Sequence, residues 1–370
     1  MWSRVTQLPK GCQSAWIGRG GDRRLTGPRA VLYHLPQELL RPDDKPPVTT
    51  VGHNGRRQVY PRRMGVKVGI DSYSFHRYFG EVHPGLQGDP GVRWDMAADF
   101  VGYARAQGVD EVALETLFFP AFDQGYCRDL KARLDEAGLA RVIGWGHPDG
   151  LHGGRDEAAL ADLKRHIPVA PLLGASTMRI VVSSMLYVND PKEPQIQGSV
   201  RMLKEAVEVA RDHGVTLALE NHIDFTSAEL LRIVEGVGSE RLKVNFDTGN
   251  ALRLFEDPVE AARRLAPHTI ATHTKDITVR GKGGTPMERF TWWPSCPVGA
   301  GLVDVPALAR VLDEAGFTGS LAVELDLLAD PWADRKEEDL VAESVAYLRG
   351  VVGPTPAAAA TATPSPLAGR

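Results

Sequence analysis

The sequence predicts one α/β domain, a (β/α)8 barrel with disordered N- and C-terminal extensions. Three observations predict it. Strand-like and helix-like runs alternate over roughly 290 residues, the signature of βα units on a parallel sheet. Polar residues stand at the carboxyl ends of four consecutive runs. No GxGxxG or GxxxxGK[ST] follows any run, so the rival doubly wound open sheet has no support.

Taken in order, VKVGIDSY opens at Val66 and is followed by a long loop and a helix near Trp94–Gln107. EVALET leads to a helix around Cys127–Ala137, and ARVIGWGH to one near Ala158–Leu173. TMRIVVSS precedes a helix near Gln197–His213; TLALENH precedes one from Ser227 to Val237. KVNFDTGN is followed by Pro258–Leu265, IATHTKD by a long loop and Val305–Ala315, and SLAVELD by Glu337–Arg349. Gly108, Gly138, Gly214 and Gly316 close four of these helices, where glycine is preferred.

The barrel is assigned to residues 64–350. Residues 1–63 show no sustained period and read as a disordered or non-native extension, with Met64 the natural start. Asp22, Glu38, Asp43 and Asp44, without an amphipathic helix, argue against an organellar leader. The low-complexity stretch 351–370 reads as a disordered tail. Residues 1–63 hold 12 Lys+Arg and 4 Asp+Glu, a balance of +8, so a chain of net −4 leaves −12 on the remainder. A core this acidic lacks the footprint that nucleic acid requires. Cys12, Cys127 and Cys296 form no CxxC and no even framework, which fits a reducing compartment. No apolar run is long enough to span a membrane, and no secretory signal opens the chain. The expected location is the cytoplasm.

The chemistry sits at the strand exits. Glu220 ends TLALE, Asp247 ends KVNFD, His273 ends IATH, and Glu324 follows SLAV. The spacings of 27, 26 and 51 residues are one βα unit, one unit, and one unit plus an insertion near Ile277–Gly301. In a parallel barrel such ends share one face, where active sites are built. Any one of these acids alone is more often a helix cap or loop residue. Four in consecutive strands point to a hard O/N ligand set for one divalent ion, Mn²⁺ first, with Mg²⁺ or Co²⁺ as alternatives, rather than a thiolate-bound structural zinc.

These residues, with DTGN at Asp247–Asn250 and HTKD at His273–Asp276, resemble the xylose-isomerase-like barrel superfamily and its sugar (phosphate) isomerase/epimerase branch. The resemblance covers roughly Val66 to Arg349. It implies that Glu220, Asp247, His273 and Glu324 hold one divalent metal and that Glu220 and Glu324 move protons. It also implies a substrate contact near Arg280. Asn250 departs from the pattern, since ketose epimerases of the family carry a substrate-binding His there.

Other candidates surround the quartet. His222 and Lys275 each follow a ligand by two, so strand alternation aims them inward as substrate contacts. Asn250, Glu115 and His147 are further substrate-binding candidates, with Tyr73 and His76 on the same rim. Asn221 and Asp276 are candidates to orient ligands, and Asn245 shares the inward face of Asp247. The insertion carrying Arg280, Lys282, Arg289, Trp292 and Trp293 is expected to cover the barrel mouth or meet a partner.

The favoured function is a metal-dependent isomerase or epimerase of a small sugar or keto-sugar, working through an enediolate. The alternative is a lyase or dehydratase acting on a 3-keto sugar, an inosose or a C-glycoside with the same residues. The expected partner is a small carbohydrate, with neither nucleic acid nor membrane; a homo-oligomer or a small accessory subunit is the protein partner considered. A DNA-repair endonuclease on this fold needs a His-rich multi-zinc site and a basic face, and the acidic core counts against it. The intact quartet counts against a non-catalytic partner-binding relative.

Overall fold

The structure, a computed structural model, describes residues 64–83, 87–147, 149–279, 293–328 and 330–353. The expected extension 1–63, Arg280 with the rest of 280–292, and the tail from 354 lie outside the described residues. The barrel belongs wholly to the compact unit Tyr60–Arg370.

The strands are β1 (Lys67–Asp71), β2 (Glu111–Glu115), β3 (Ala140–Gly144), β4 (Thr177–Ile180), β5 (Thr216–Glu220), β6 (Leu242–Asp247) and β7 (Thr269–His273). After them come the short β8 (Asp276–Ile277) and β9 (Ser295–Cys296), then β10 (Ser320–Val323). Eight form one parallel sheet in the order β10-β1-β2-β3-β4-β5-β6-β7. Closure between β7 and β10 runs through Thr274, whose N–H donates to Ala322 O at 2.6 Å and whose carbonyl accepts from Glu324 N at 3.2 Å. Thr272 Oγ1 adds a bond to Ser320 O at 2.7 Å. The predicted barrel is present. The root of the insertion is the antiparallel ribbon β8–β9, where the sequence predicts only a long loop.

The helices are α1 (Val101–Gln107), α2 (Gln124–Glu136), α3 (Glu157–His166), α4 (Val169–Leu172), α5 (Lys192–Asp212), α6 (Ser227–Val237), α7 (Asn250–Arg253), α8 (Pro258–Leu265), α9 (Val305–Glu314) and α10 (Glu337–Val352). The single helix expected near Ala158–Leu173 is two helices. Pro168 between them has no N–H to give, and its ring crowds the preceding turn. Before α1 the chain makes one π turn, Met96–Phe100, whose first N–H groups are taken by the Asp95 carboxylate. α5 begins five residues earlier than expected, and α10 runs two residues into the expected tail. Gly108 and Gly214 have φ of 65° and 69°, a left-handed conformation that glycine enters without steric cost.

Strand alternation places the site. Val112 and Leu114, Met178 and Ile180, Leu217 and Leu219, and Val244 and Phe246 face outward into the helix layer, all buried. Each such aliphatic or aromatic side chain contributes about 1.5–3 kcal/mol by leaving water. The inward positions are small: Ala113, Val142, Ala218 and Ala271 form a separate cluster. Above them, at the carboxyl ends, the inward residues are Asp71, Glu115, Arg179, Glu220, Asp247, His273 and Glu324. A register shift at Val244/Asn245 brings Asp247 level with His273 on the next strand.

Candidate metal centre

Glu220, Asp247, His273 and Glu324 come together, each offering one donor atom, with all four atoms within 4.8 Å of one another. All four residues are buried. Among the described residues, Asp247 Oδ2, His273 Nδ1 and Glu324 Oε2 have no hydrogen-bond partner. Nevertheless His273 Nδ1 lies 2.8 Å from Glu324 Oε2 and 3.5 Å from Glu220 Oε1. The donor atoms thus crowd around one point. Lys275 Nζ reaches Asp247 Oδ2 as an ion pair, which leaves His273 Nδ1 and Glu324 Oε2 as the ligand atoms without a bonded partner among the described residues. A buried polar atom left so costs roughly 1–3 kcal/mol, which a shared cation would relieve. Three carboxylate oxygens and one imidazole nitrogen fit a hard divalent cation.

Each carboxylate presents one oxygen to that point while its second oxygen is held elsewhere. Asp247 Oδ1 accepts the N–H groups of Gly249 and Asn250 at 2.8 and 2.9 Å. Glu220 Oε2 accepts Arg179 Nε at 2.5 Å, while its Oε1 also receives Asn250 Nδ2 at 3.3 Å. Glu324 Oε1 lies 3.3 Å from Lys275 Nζ. The imidazole is steadied from behind, where Asp71 Oδ2 stands 3.0 Å from His273 Nε2. Asn221 brackets the Asp247 backbone, donating Nδ2 to its carbonyl at 2.8 Å and accepting its N–H at 2.7 Å.

The surrounding charges are paired. Lys275 Nζ touches Asp247 Oδ2 and Asp326 Oδ2, each at 3.1 Å. Burial alone favours the neutral amine, but these carboxylates outweigh it and hold the ammonium protonated. Arg253, fully buried, donates to Asp326 at 2.6 and 3.0 Å and to the Trp293 carbonyl at 2.9 and 3.1 Å. Arg179 NH1 also reaches Glu115 Oε1 at 3.5 Å. Burial raises the Glu115 carboxyl to about 7 despite that arginine.

A family model described as the xylose isomerase-like TIM barrel matches residues 101–351, more than half of the chain. The chain belongs to that family. Among curated relatives, the uncharacterized protein YihM of Escherichia coli (strain K12) is 27% identical over 194 residues, covering 48% of this chain and 54% of YihM. The rhizopine catabolism protein MocC of Rhizobium meliloti is 28% identical over 217 residues, 53% of this chain and 66% of MocC. The chain thus spans between half and two thirds of the length of these relatives. Among solved structures, an L-ribulose 3-epimerase superposes with a TM-score of 0.58 at 20% identity, over 78% of this chain and 94% of that one. At that identity the likeness concerns the fold.

Within this xylose isomerase-like barrel the remaining candidates divide. His222 is partly buried beside Glu220, its Nδ1 has no hydrogen-bond partner among the described residues, and burial lowers its pKa to about 4, so the ring is neutral near pH 7. Asn250, a substrate-binding candidate, donates its amide to Glu220 and accepts Arg253 NH1 at 3.2 Å. His147 stacks on Trp145 with ring centroids 5.1 Å apart, outside the quartet. The Asp276 carboxylate ties down the 299–303 loop, accepting the N–H groups of Gly299, Gly301 and Val303. Asn245 is inward and buried, with neither amide atom bonded. Tyr73 Oη reaches Glu81 at 3.4 Å, and His76 Nδ1 reaches the Glu81 carbonyl at 2.7 Å. Sequence reasoning missed Asp71, Arg179, Arg253 and Asp326. The first two had a signal: Asp71 ends a strand run, and Arg179 is a charge between apolar Met178 and Ile180.

Proposed function

We propose that this protein is a divalent-metal-dependent isomerase or epimerase of a small sugar or keto-sugar, working through an enediolate. The observation that carries the reading is the convergence of four buried donors within 4.8 Å of one another, with His273 Nδ1 and Glu324 Oε2 lacking hydrogen-bond partners among the described residues. Glu220, Asp247, His273 and Glu324 would hold the ion, with Mn²⁺ preferred. A bound divalent ion supplies Lewis-acid polarisation of a carbonyl and its neighbouring hydroxyl. The protein's own groups do the rest.

Glu220 and Glu324 are assigned the proton transfers, one on each side of the substrate carbon. Each keeps one oxygen turned away from the cluster, beside Arg179 and Lys275 respectively. A carboxylate oxygen has two lone-pair directions, so Glu220 and Glu324 would each keep one free for the carbon-bound proton while holding the ion. Lys275 and Arg179 place fixed positive charge where substrate oxygens gain negative charge. Neutral His222 is assigned to a substrate hydroxyl. Glu115, with its raised pKa, can donate a hydrogen bond as a carboxylic acid. Families that share this barrel and act on sugars support a carbohydrate substrate. His147 and Arg280 remain proposed outer contacts.

A second reading, elimination from a 3-keto sugar, an inosose or a C-glycoside, uses the same groups. Asn250 favours it: the side chain at the position where ketose epimerases carry a substrate-binding His is committed to Glu220 and Arg253.

The test is incubation of the metal-loaded protein in D₂O with a panel of ketoses and 3-keto glycosides. Deuterium beside a carbonyl with an epimerised or isomerised product supports the first reading, and loss of water or of an aglycone supports the second. No exchange into any member would remove the enediolate.

A further inference from the structure

We propose that Arg179 is a positioning residue that keeps Glu220 a one-oxygen donor and thereby sets which cations the centre accepts. This rests on the metal-binding reading above and extends it to selectivity.

The geometry starts with strand β4. Alternation turns Arg179 inward between outward Met178 and Ile180, and its head lies between two acids. Nε donates to Glu220 Oε2 at 2.5 Å, and NH1 stands 3.5 Å from Glu115 Oε1. Glu115 has room only because glycines face it. A Cβ on Gly144 would overlap its carboxylate, and one on Gly146 would come within 3.1 Å of Oε2. The fork of Arg179 is therefore seated against a fixed acid on one side and Glu220 on the other. Guanidinium is planar and always charged, so this bond does not switch off near neutral pH.

The consequence concerns coordination number. Ca²⁺ takes six to eight oxygens and commonly uses bidentate carboxylates, whereas Mg²⁺-sized ions demand a compact octahedral shell. All three acids are restricted to one oxygen here: Asp247 by two backbone N–H groups, Glu324 by Lys275, and Glu220 by Arg179. Four single-atom donors leave a six-coordinate ion two open positions and leave a calcium ion undersupplied. Of the three restraints, only Arg179 is a side chain that touches no other member of the quartet through its head group among the described contacts.

The experiment is titration of Mn²⁺ and of Ca²⁺ by calorimetry into the metal-free full chain, wild type and Arg179→Met. The expected result is a wild type that prefers Mn²⁺, and a variant in which the ratio of the Ca²⁺ to Mn²⁺ dissociation constants narrows tenfold or more, because the freed Glu220 oxygen can chelate. A merely structural arginine would weaken both ions alike. Arg179→Met with Glu115→Gln removes the unpaired buried acid and serves if the single variant does not fold; the same narrowing is expected. A ratio unchanged within threefold in a folded variant would overturn the proposal while leaving the metal centre standing. A wild type that binds neither ion would overturn the metal reading itself, and this inference with it.

Discussion

Asp71 and His273 form a carboxylate–imidazole pair between strands β1 and β7, which flank β10: Asp71 Oδ2 is 3.0 Å from His273 Nε2, while Nδ1 on the other edge of the ring faces Glu220 and Glu324. A carboxylate behind a ligand histidine fixes its tautomer and makes the free nitrogen a better donor. Asp71→Asn should therefore weaken Mn²⁺ binding about 10–100-fold with the fold intact. Calorimetric titration against circular dichroism checks this, and an unchanged affinity would remove Asp71 from the account.

Glu220→Gln and Glu324→Gln remove a proton-accepting oxygen without removing volume. Each should lower kcat by about 10²–10⁴-fold, whereas His222→Ala should chiefly raise KM. Steady-state kinetics on whichever sugar shows deuterium exchange separates the two behaviours. Near-normal rates in both glutamate variants would show the proton assignment to be wrong.

Arg253 and Asp326 are both buried and joined by a two-pronged ion pair. Removing one partner strands a charge away from water. Arg253→Met should cost about 3–5 kcal/mol of folding stability, read as a shifted urea midpoint. A loss under 1 kcal/mol would mean that Asp326 is satisfied by Lys275 and Ser295 alone.

The site could be read from the sequence where its residues obey a local rule. Glu220, Asp247 and His273 each end a strand run, and Glu324 follows one directly, so periodicity and spacing alone group them. Asp326 follows Glu324 by two, as His222 and Lys275 follow their ligands, but Arg253 lies 73 residues away and obeys no local rule; only the folded barrel reveals their pairing. Asn250 lies three residues after Asp247 in the chain, but its partners Glu220 and Arg253 depend on how α7 starts. Arg179 was legible in principle, since a charge at an inward strand position needs a buried partner. The break at Pro168 was also written in the chain, and apolar periodicity on both sides concealed it.

His76 supplies a pH dependence. Burial first, and His83 after it, lower its pKa to about 4, against hydrogen bonds to the carbonyls of Glu81 and Asp326 and the Asp326 charge, which raise it. The unfolded imidazole titrates near 6.5. Below that pH the unfolded chain takes up a proton that the folded chain refuses, so stability falls between pH 6.5 and about 4 and levels off beneath. The contribution is roughly 3 kcal/mol at full titration. Urea unfolding at pH 7, 5.5 and 4 should show a smaller decline for His76→Gln than for wild type; equal declines would assign the acid sensitivity elsewhere.

The central claim is that Glu220, Asp247, His273 and Glu324 hold one divalent cation. The most direct test is to strip the purified protein with a chelator, titrate Mn²⁺ back into the wild type and into Asp247→Asn, and count bound ions by mass spectrometry of the digested sample. One ion per chain in the wild type, and at least tenfold weaker uptake in the variant, is the predicted result. A wild type that takes up no divalent ion, or a variant that binds as tightly, would contradict it.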